Sequence, residues 1–145
     1  MNYLKFTLFL VIFSIATVKY TSAQVTVGVY SNGILTQLGA GTDPEKEFFG
    51  EGRLFAGDVL NPFFGAEAIG QYNFHRSDWY NASAGLMLGY YEFDDGARIG
   101  APVMLAFKPI SNHRAFSIMM EATPLYNGDF GLRGNFGLRY TIGKN

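Results

Sequence analysis

Charge is confined to one face of this chain. From Phe48 onward the sequence reads as consecutive β-strands, in which successive side chains point to opposite faces. Nearly every mid-strand charge falls on one alternate set: Glu51, Arg53, Glu67, Arg98, Lys108, Glu121, Arg133 and Arg139. The other set is uncharged and carries the large aliphatic and aromatic side chains. A water-soluble barrel turns its charges outwards and its apolar groups inwards. The reverse arrangement fits a barrel surrounded by lipid, with its polar face in the lumen.

Turn signals divide the chain at short intervals. Asn32-Gly33, Asp95-Gly96 and Asn127-Gly128 supply the positive φ of tight hairpins. Asp43-Pro44, Asn61-Pro62 and Lys108-Pro109 also mark turns, because proline cannot donate to a central ladder. His75-Arg76-Ser77-Asp78 is a polar cluster of the same kind. These cuts predict eight extended segments: Val25–Tyr30, Ile34–Gly41, Phe48–Asp58, Phe63–Phe74, Tyr80–Phe93, Ala97–Phe107, Arg114–Thr123 and Phe130–Ile142. Most reach the length of a tilted transmembrane strand, about 9–11 residues. The first two are shorter and could form one irregular strand, but single-chain bacterial barrels have even strand numbers, which favours eight.

The two faces are clearest late in the chain. Ala97, Ile99, Ala101, Val103, Leu105 and Phe107 oppose Arg98, Gly100, Pro102, Met104, Ala106 and Lys108. Phe130, Leu132, Phe136, Leu138, Tyr140 and Ile142 oppose Arg133, Asn135, Arg139 and Thr141. A slip of one residue would turn the arginines into lipid, at about 2–4 kcal/mol each near the midplane. Aromatics crowd the segment ends: Phe48, Phe49, Phe63, Phe64, Phe74, Trp79, Tyr80, Tyr90, Tyr91, Phe93, Phe107 and Tyr126. Rings at these places are expected to form girdles at the two headgroup boundaries.

The N-terminus reads as an export signal. Lys5 precedes an apolar run from Phe6 to Val18, and Thr21-Ser22-Ala23 offers the small residues of a cleavage site before Gln24. The run is roughly 13 residues, against the ~20 of a spanning helix. The expected organisation is a signal peptide over 1–23 and a single barrel domain over 24–145. Loss of Lys5 and Lys19 takes the basic count from 11 to 9 against 12 acids, a mature charge of about −3. That balance excludes a nucleic-acid binder. The chain has no cysteine, which excludes a disulfide framework, a thiolate metal site and a lipoprotein anchor.

The inward charges are the first candidate site. Glu51, Glu67 and Glu121 can pair with Arg53, Arg98, Lys108, Arg133 and Arg139 to fill a lumen that eight strands make only wide enough for side chains. The sharper reading of the same residues is a narrow conduit or a lumenal ligand site. A hydrolase would need a poised Ser, His and carboxylate. His75 and His113 are the only histidines, and both fall at turns. No catalytic residue, cofactor site or metal site is expected.

The last segment carries a motif. Asn135, Gly137, Tyr140 and Ile142 follow the order polar, any, Gly, any, any, aromatic, any, apolar. This resembles the C-terminal sorting signal of outer-membrane barrels, in which the final residue is usually aromatic; here it is Ile142, and three residues follow it. With the strand pattern, the mature chain resembles the small eight-stranded outer-membrane β-barrel proteins of Gram-negative bacteria, such as OmpX and the membrane domain of OmpA, in versions common in Bacteroidota. The resemblance implies an all-β, antiparallel, up-and-down transmembrane barrel in the cell outer membrane. It also implies outer-membrane lipid as surroundings, barrel-assembly machinery and periplasmic chaperones as partners in biogenesis, and a monomer. The expected role is structural, or a minor binding or permeability function. The alternatives are a soluble periplasmic carrier of lipocalin type and a lipid-modifying barrel enzyme. The connections are short, so functions carried on long extracellular loops are not expected.

Overall fold

The computed structural model describes residues 24–56, 64–92, 96–110 and 113–143. The expected signal peptide lies outside the described residues, as do Phe63, Phe93 and the turn residue Asp95. The strands are β1 (Val25–Ser31), β2 (Thr36–Gly41), β3 (Phe48–Ala56), β4 (Phe64–Arg76), β5 (Tyr80–Tyr91), β6 (Gly96–Gly100), β7 (Val103–Phe107), β8 (Phe116–Tyr126) and β9 (Phe130–Ile142). Every pairing is antiparallel, and β1 pairs with both β2 and β9, so the sheet closes on itself. β6 and β7 each pair with β5 and β8 and share one place in the ring. The barrel therefore has eight strand positions. At the seam, Val25 faces Ile142 and Ser31 faces Phe136.

The first two segments are separate strands. Gly33 turns the chain between them at φ 86°. The Asn32 side chain braces this turn, its Oδ1 accepting from the Ile34 and Leu35 amides at 3.0 and 2.7 Å. Asn127-Gly128 makes the β8–β9 turn, with Gly128 at φ 108°. Both glycines occupy the left-handed region that other residues avoid.

One expected strand is broken. Ala97–Phe107 divides at Ala101 and Pro102 into β6 and β7. The Pro102 carbonyl accepts from the Gly85 amide at 2.9 Å, and the Pro124 carbonyl accepts from the Ala101 amide at 3.0 Å. In an antiparallel ladder the N–H and C=O of one residue point to the same neighbour. The donors that both prolines lack are thus missing at one level of the wall, and the ladder parts there. β8, for its part, runs on past the expected end at Thr123, through Pro124, to Tyr126.

Gly85 lies against this break. A Cβ there would come within 2.0 Å of the Gly70 carbonyl oxygen, whereas a Cβ on Gly70 would meet nothing within 4 Å. Gly85→Ala is expected to destabilise the barrel by about 1–3 kcal/mol through forced backbone movement. Gly70→Ala should stay within about 0.5 kcal/mol. Urea unfolding of the two variants side by side checks the contrast, and equal stabilities would refute the close approach.

The faces separate as the alternation requires. Val27, Leu38, Leu54, Leu86, Leu88, Leu105 and Leu138 are exposed on the outer wall. Every charged residue within the strands lies on the inner set; Arg76, at the end of β4, does so because a bulge between Asn73 and His75 shifts the register and sets it opposite Asn81. Exposed rings gather at both ends, with Phe48 against Tyr72 at one and Tyr126 against Phe130 at the other, both at 5.1 Å between centroids. Phe49 and Tyr91 depart from the expected girdles. They are 6% and 2% exposed and point into the lumen. Each adjoins a ring of the outer set, Phe48 and Tyr90, and strand alternation sends only one of each pair outwards.

Candidate functional site

The lumen is held by a chain of ion pairs. Arg139 Nη2 donates to Glu51 Oε2. The other oxygen, Glu51 Oε1, accepts from Arg53 Nε at 2.6 Å. Arg53 Nη2 donates to Glu121 Oε2, also at 2.6 Å. Glu121 Oε1 accepts from Asn135 Nδ2 at 2.8 Å and Thr123 Oγ1 at 2.9 Å, and lies 3.7 Å from Arg133 Nη2. Arg133 pairs with Glu67, which also accepts from the Tyr91 hydroxyl. Glu51, Glu67 and Glu121 are thus matched by Arg53, Arg133 and Arg139.

The topology makes these pairs into cross-braces. In the ring order β3 stands opposite β8, and β4 stands opposite β9. Arg53–Glu121 and Glu67–Arg133 therefore cross the whole lumen. Such groups are costly to desolvate, and they are tolerated because each carboxylate has several donors. Tyr30 anchors one side: Arg53 stacks on its ring at 4.0 Å, and its hydroxyl accepts from Arg139 Nε at 3.1 Å. Met87, Met104 and Met119 fill the space that the polar groups leave. Flexible, unbranched thioethers suit so irregular a gap.

Two of the sequence candidates stand apart from this cluster. Lys108 does not join Glu51, Glu67 or Glu121. It lies just past the end of β7, at the end of the barrel where β1 begins and β9 ends. There its Nζ meets Glu45 Oε2 at 2.8 Å, Ser77 O at 2.9 Å and Asn81 Oδ1 at 3.0 Å. Glu45 belongs to the β2–β3 connection, which folds over this end. Asn73 Nδ2 pins that connection by donating to the Pro44 and Lys46 carbonyls at 2.8 and 2.6 Å. Arg98 is at the opposite end, its guanidinium 3.8 Å from the centre of the Tyr91 ring.

The four residues of the terminal motif divide by face. Asn135 points inward to Glu121. Gly137 lies under Tyr30, where a Cβ would come within 2.3 Å of the ring. Tyr140 and Ile142 are exposed on the outer wall. His75 stacks on Tyr80 at 4.7 Å, and His113 is exposed.

Sequence reasoning missed Tyr30, Tyr91, Glu45 and the buried amides Gln37 and Gln71. A signal for Tyr30 was present. Gly28, Gly39 and Gly137 occupy inward positions on three adjacent strands, and a Cβ on any of them would meet this ring within 2.9 Å. Clustered inward glycines mark where one large side chain lies across its neighbours.

The sequence matches no family model and no curated protein. The fold is similar to that of Ail, an outer membrane protein of Yersinia pestis whose backbone structure was determined in a phospholipid bilayer nanodisc. The TM-score is 0.50 at 11% sequence identity, over 83% of this chain and 98% of that one. The likeness extends over nearly the whole of the other barrel, and it is a likeness of fold.

Proposed function

We propose that this chain, which has the fold of the small eight-stranded outer-membrane barrels, is an integral outer-membrane protein with a braced lumen and a structural role. One observation carries the reading. The strands bury their ion pairs inside and expose leucine, valine and aromatic side chains on the outer wall. Water would favour the reverse, and lipid favours this. A lipocalin-like carrier needs an apolar interior, whereas this lumen is crossed by Arg53–Glu121 and Arg133–Glu67. The same braces oppose free diffusion of solutes. The reading includes no catalysis.

Membrane fractionation with a heat-modifiability gel tests the proposal. Recovery in the outer membrane, with a mobility shift on boiling, is the expected result. Recovery as a soluble periplasmic species would overturn it.

Asn135, Gly137, Tyr140 and Ile142 act, in this reading, as the signal taken up by the barrel-assembly machinery after periplasmic chaperones deliver the chain. Tyr140 and Ile142 present their side chains outwards, where a partner can touch them before lipid does. Replacing both with serine is expected to lower assembled protein in cells at least fivefold. Refolding of the purified variant into detergent should change little, because neither side chain packs in the lumen. An equal loss in both assays would assign these residues to stability instead. The assembled protein is proposed to be a monomer.

A further inference from the structure

The end of the barrel where β1 begins and β9 ends is covered by the β2–β3 connection, residues 42–47. The backbone ties its two ends to the wall. The Thr42 amide donates to the Gly50 carbonyl at 2.9 Å, and the Asn73 amide donates to the Glu47 carbonyl at 2.8 Å. Side chains from farther round the ring hold the residues between. Asn73 of β4 grips the Pro44 and Lys46 carbonyls, and Asn81 Nδ2 of β5 donates to Glu45 Oε1 at 3.0 Å. Lys108, beyond β7, takes Glu45 Oε2. β7 stands opposite β2 in the ring, so this ion pair carries the connection across the whole mouth. Pro44, at its middle, is buried.

The pair can part without stranding either charge. Ser77 O and Asn81 Oδ1, the other acceptors of the Lys108 ammonium, belong to the wall and stay with it. Glu45 is partly exposed, so its carboxylate returns readily to water. Below the connection lies an amide with unmet demands. Gln71 is the next inward residue of β4 after Asn73, one step nearer the Glu51–Arg139 pair. It is 3% exposed, and neither its Oε1 nor its Nε2 has a hydrogen-bond partner among the described residues. Burying such an amide disfavours the covered arrangement. Water entering from the mouth supplies both a donor and an acceptor. Two arrangements therefore compete: one gains the ion pair and the asparagine bonds, and the other hydrates Gln71.

We infer that the β2–β3 connection is a latched cover that controls entry to the lumen from this end. With Glu45 on Lys108 it excludes water and solutes. With the pair parted it swings on its anchors at Thr42 and Glu47 and admits them as far as the braces. The inference goes beyond the structural role and holds whatever surrounds the outer wall.

Thiol labelling tests it, in a chain that has no cysteine of its own. Ser83 faces the lumen opposite Asn73 and is 3% exposed. Leu35 is half-buried at the other mouth. Single cysteines at these two positions of the folded mature protein in detergent are treated with a cationic methanethiosulfonate. Ser83→Cys is expected to react at least about tenfold more slowly than Leu35→Cys. Adding Lys108→Met should speed Ser83→Cys about tenfold, since local opening follows the contacts that oppose it, and should leave Leu35→Cys unchanged. Adding Gln71→Leu, which removes the unmet amide, should slow Ser83→Cys further. Glu45→Gln decides the matter where Lys108→Met does not fold, and should speed Ser83→Cys about threefold. Indifference of Ser83→Cys to the loss of either charge would overturn the inference. So would an equal rise at Leu35→Cys, which would mean that the whole barrel had loosened.

Discussion

Replacing Arg53 with methionine is expected to lower the stability of the folded barrel by about 3–5 kcal/mol, the usual effect of removing one partner from a buried ion pair. Arg53 is 1% exposed and joins Glu51 to Glu121. Methionine has a similar reach, so the change removes charge more than volume. Glu51 then keeps Arg139, and Glu121 keeps only Arg133 at 3.7 Å together with two neutral donors. The loss also takes away the cross-brace from β3 to β8. Adding Glu121→Gln should restore at least about 1 kcal/mol, because the amide no longer demands a counter-charge; contacting residues couple on this scale. Reversible urea unfolding, read from the emission of the single tryptophan, Trp79, measures both variants. A loss below about 1 kcal/mol for Arg53→Met would show that the ion pairs do not brace the lumen.

The second large effect lies on the opposite face. Leu138→Arg is expected to block membrane assembly. Leu138 is exposed in the middle of β9, between Val29 of β1 and Ile118 of β8. In the proposed membrane its replacement puts a guanidinium into hydrocarbon, at about 2–4 kcal/mol near the midplane. Leu105→Arg on β7 should behave alike. Inward changes of similar chemistry should be mild. Met104 Sδ already accepts from Arg139 Nη2 at 3.4 Å, and Met104→Gln offers a better acceptor in the same place. Thr141→Ser keeps the hydroxyl that meets Thr26 Oγ1 at 3.3 Å. The yield of heat-modifiable protein in the outer-membrane fraction reads all four variants. Equal tolerance of the two faces would refute the orientation.

The alternation that made the faces legible works from residue type, and it worked where type and parity agree. Charges in mid-strand revealed the lumen, because a charge has one acceptable side. Phe55, Ile69 and Met87 share that lumen, yet nothing in their chemistry declares it. Their side was readable only by counting from a charged neighbour. Residue type misleads near strand ends: Phe49 and Tyr91 fall inward by that count, two residues from Glu51 and Gly89, yet as rings beside turns they are expected in a girdle. Connections were harder still. Glu45 follows the turn mark Asp43-Pro44 with nothing to single it out, and only the folding of residues 42–47 over the barrel end brings it to Lys108. The break in the sixth segment needed two prolines far apart in sequence, Pro102 and Pro124, to be seen at one level of the wall.

The strand that closes the barrel also completes its charge. Glu51, Glu67 and Glu121 come from β3, β4 and β8, and β9 brings Arg133 and Arg139. Before β9 docks, only Arg53 of the three matching arginines is in place, and it serves Glu51 and Glu121 but not Glu67. A chain that has not yet presented its final segment therefore meets two obstacles to collapse, an unpaired strand edge and a surplus of negative charge with no route to solvent inside a closed wall. Both are removed by one event, the zipping of Ile142 to Phe136 along Val25 to Ser31. Contacts so distant in sequence form late. The last arginines thus make completeness of the chain a condition of closure: a truncated product cannot pass for a finished barrel.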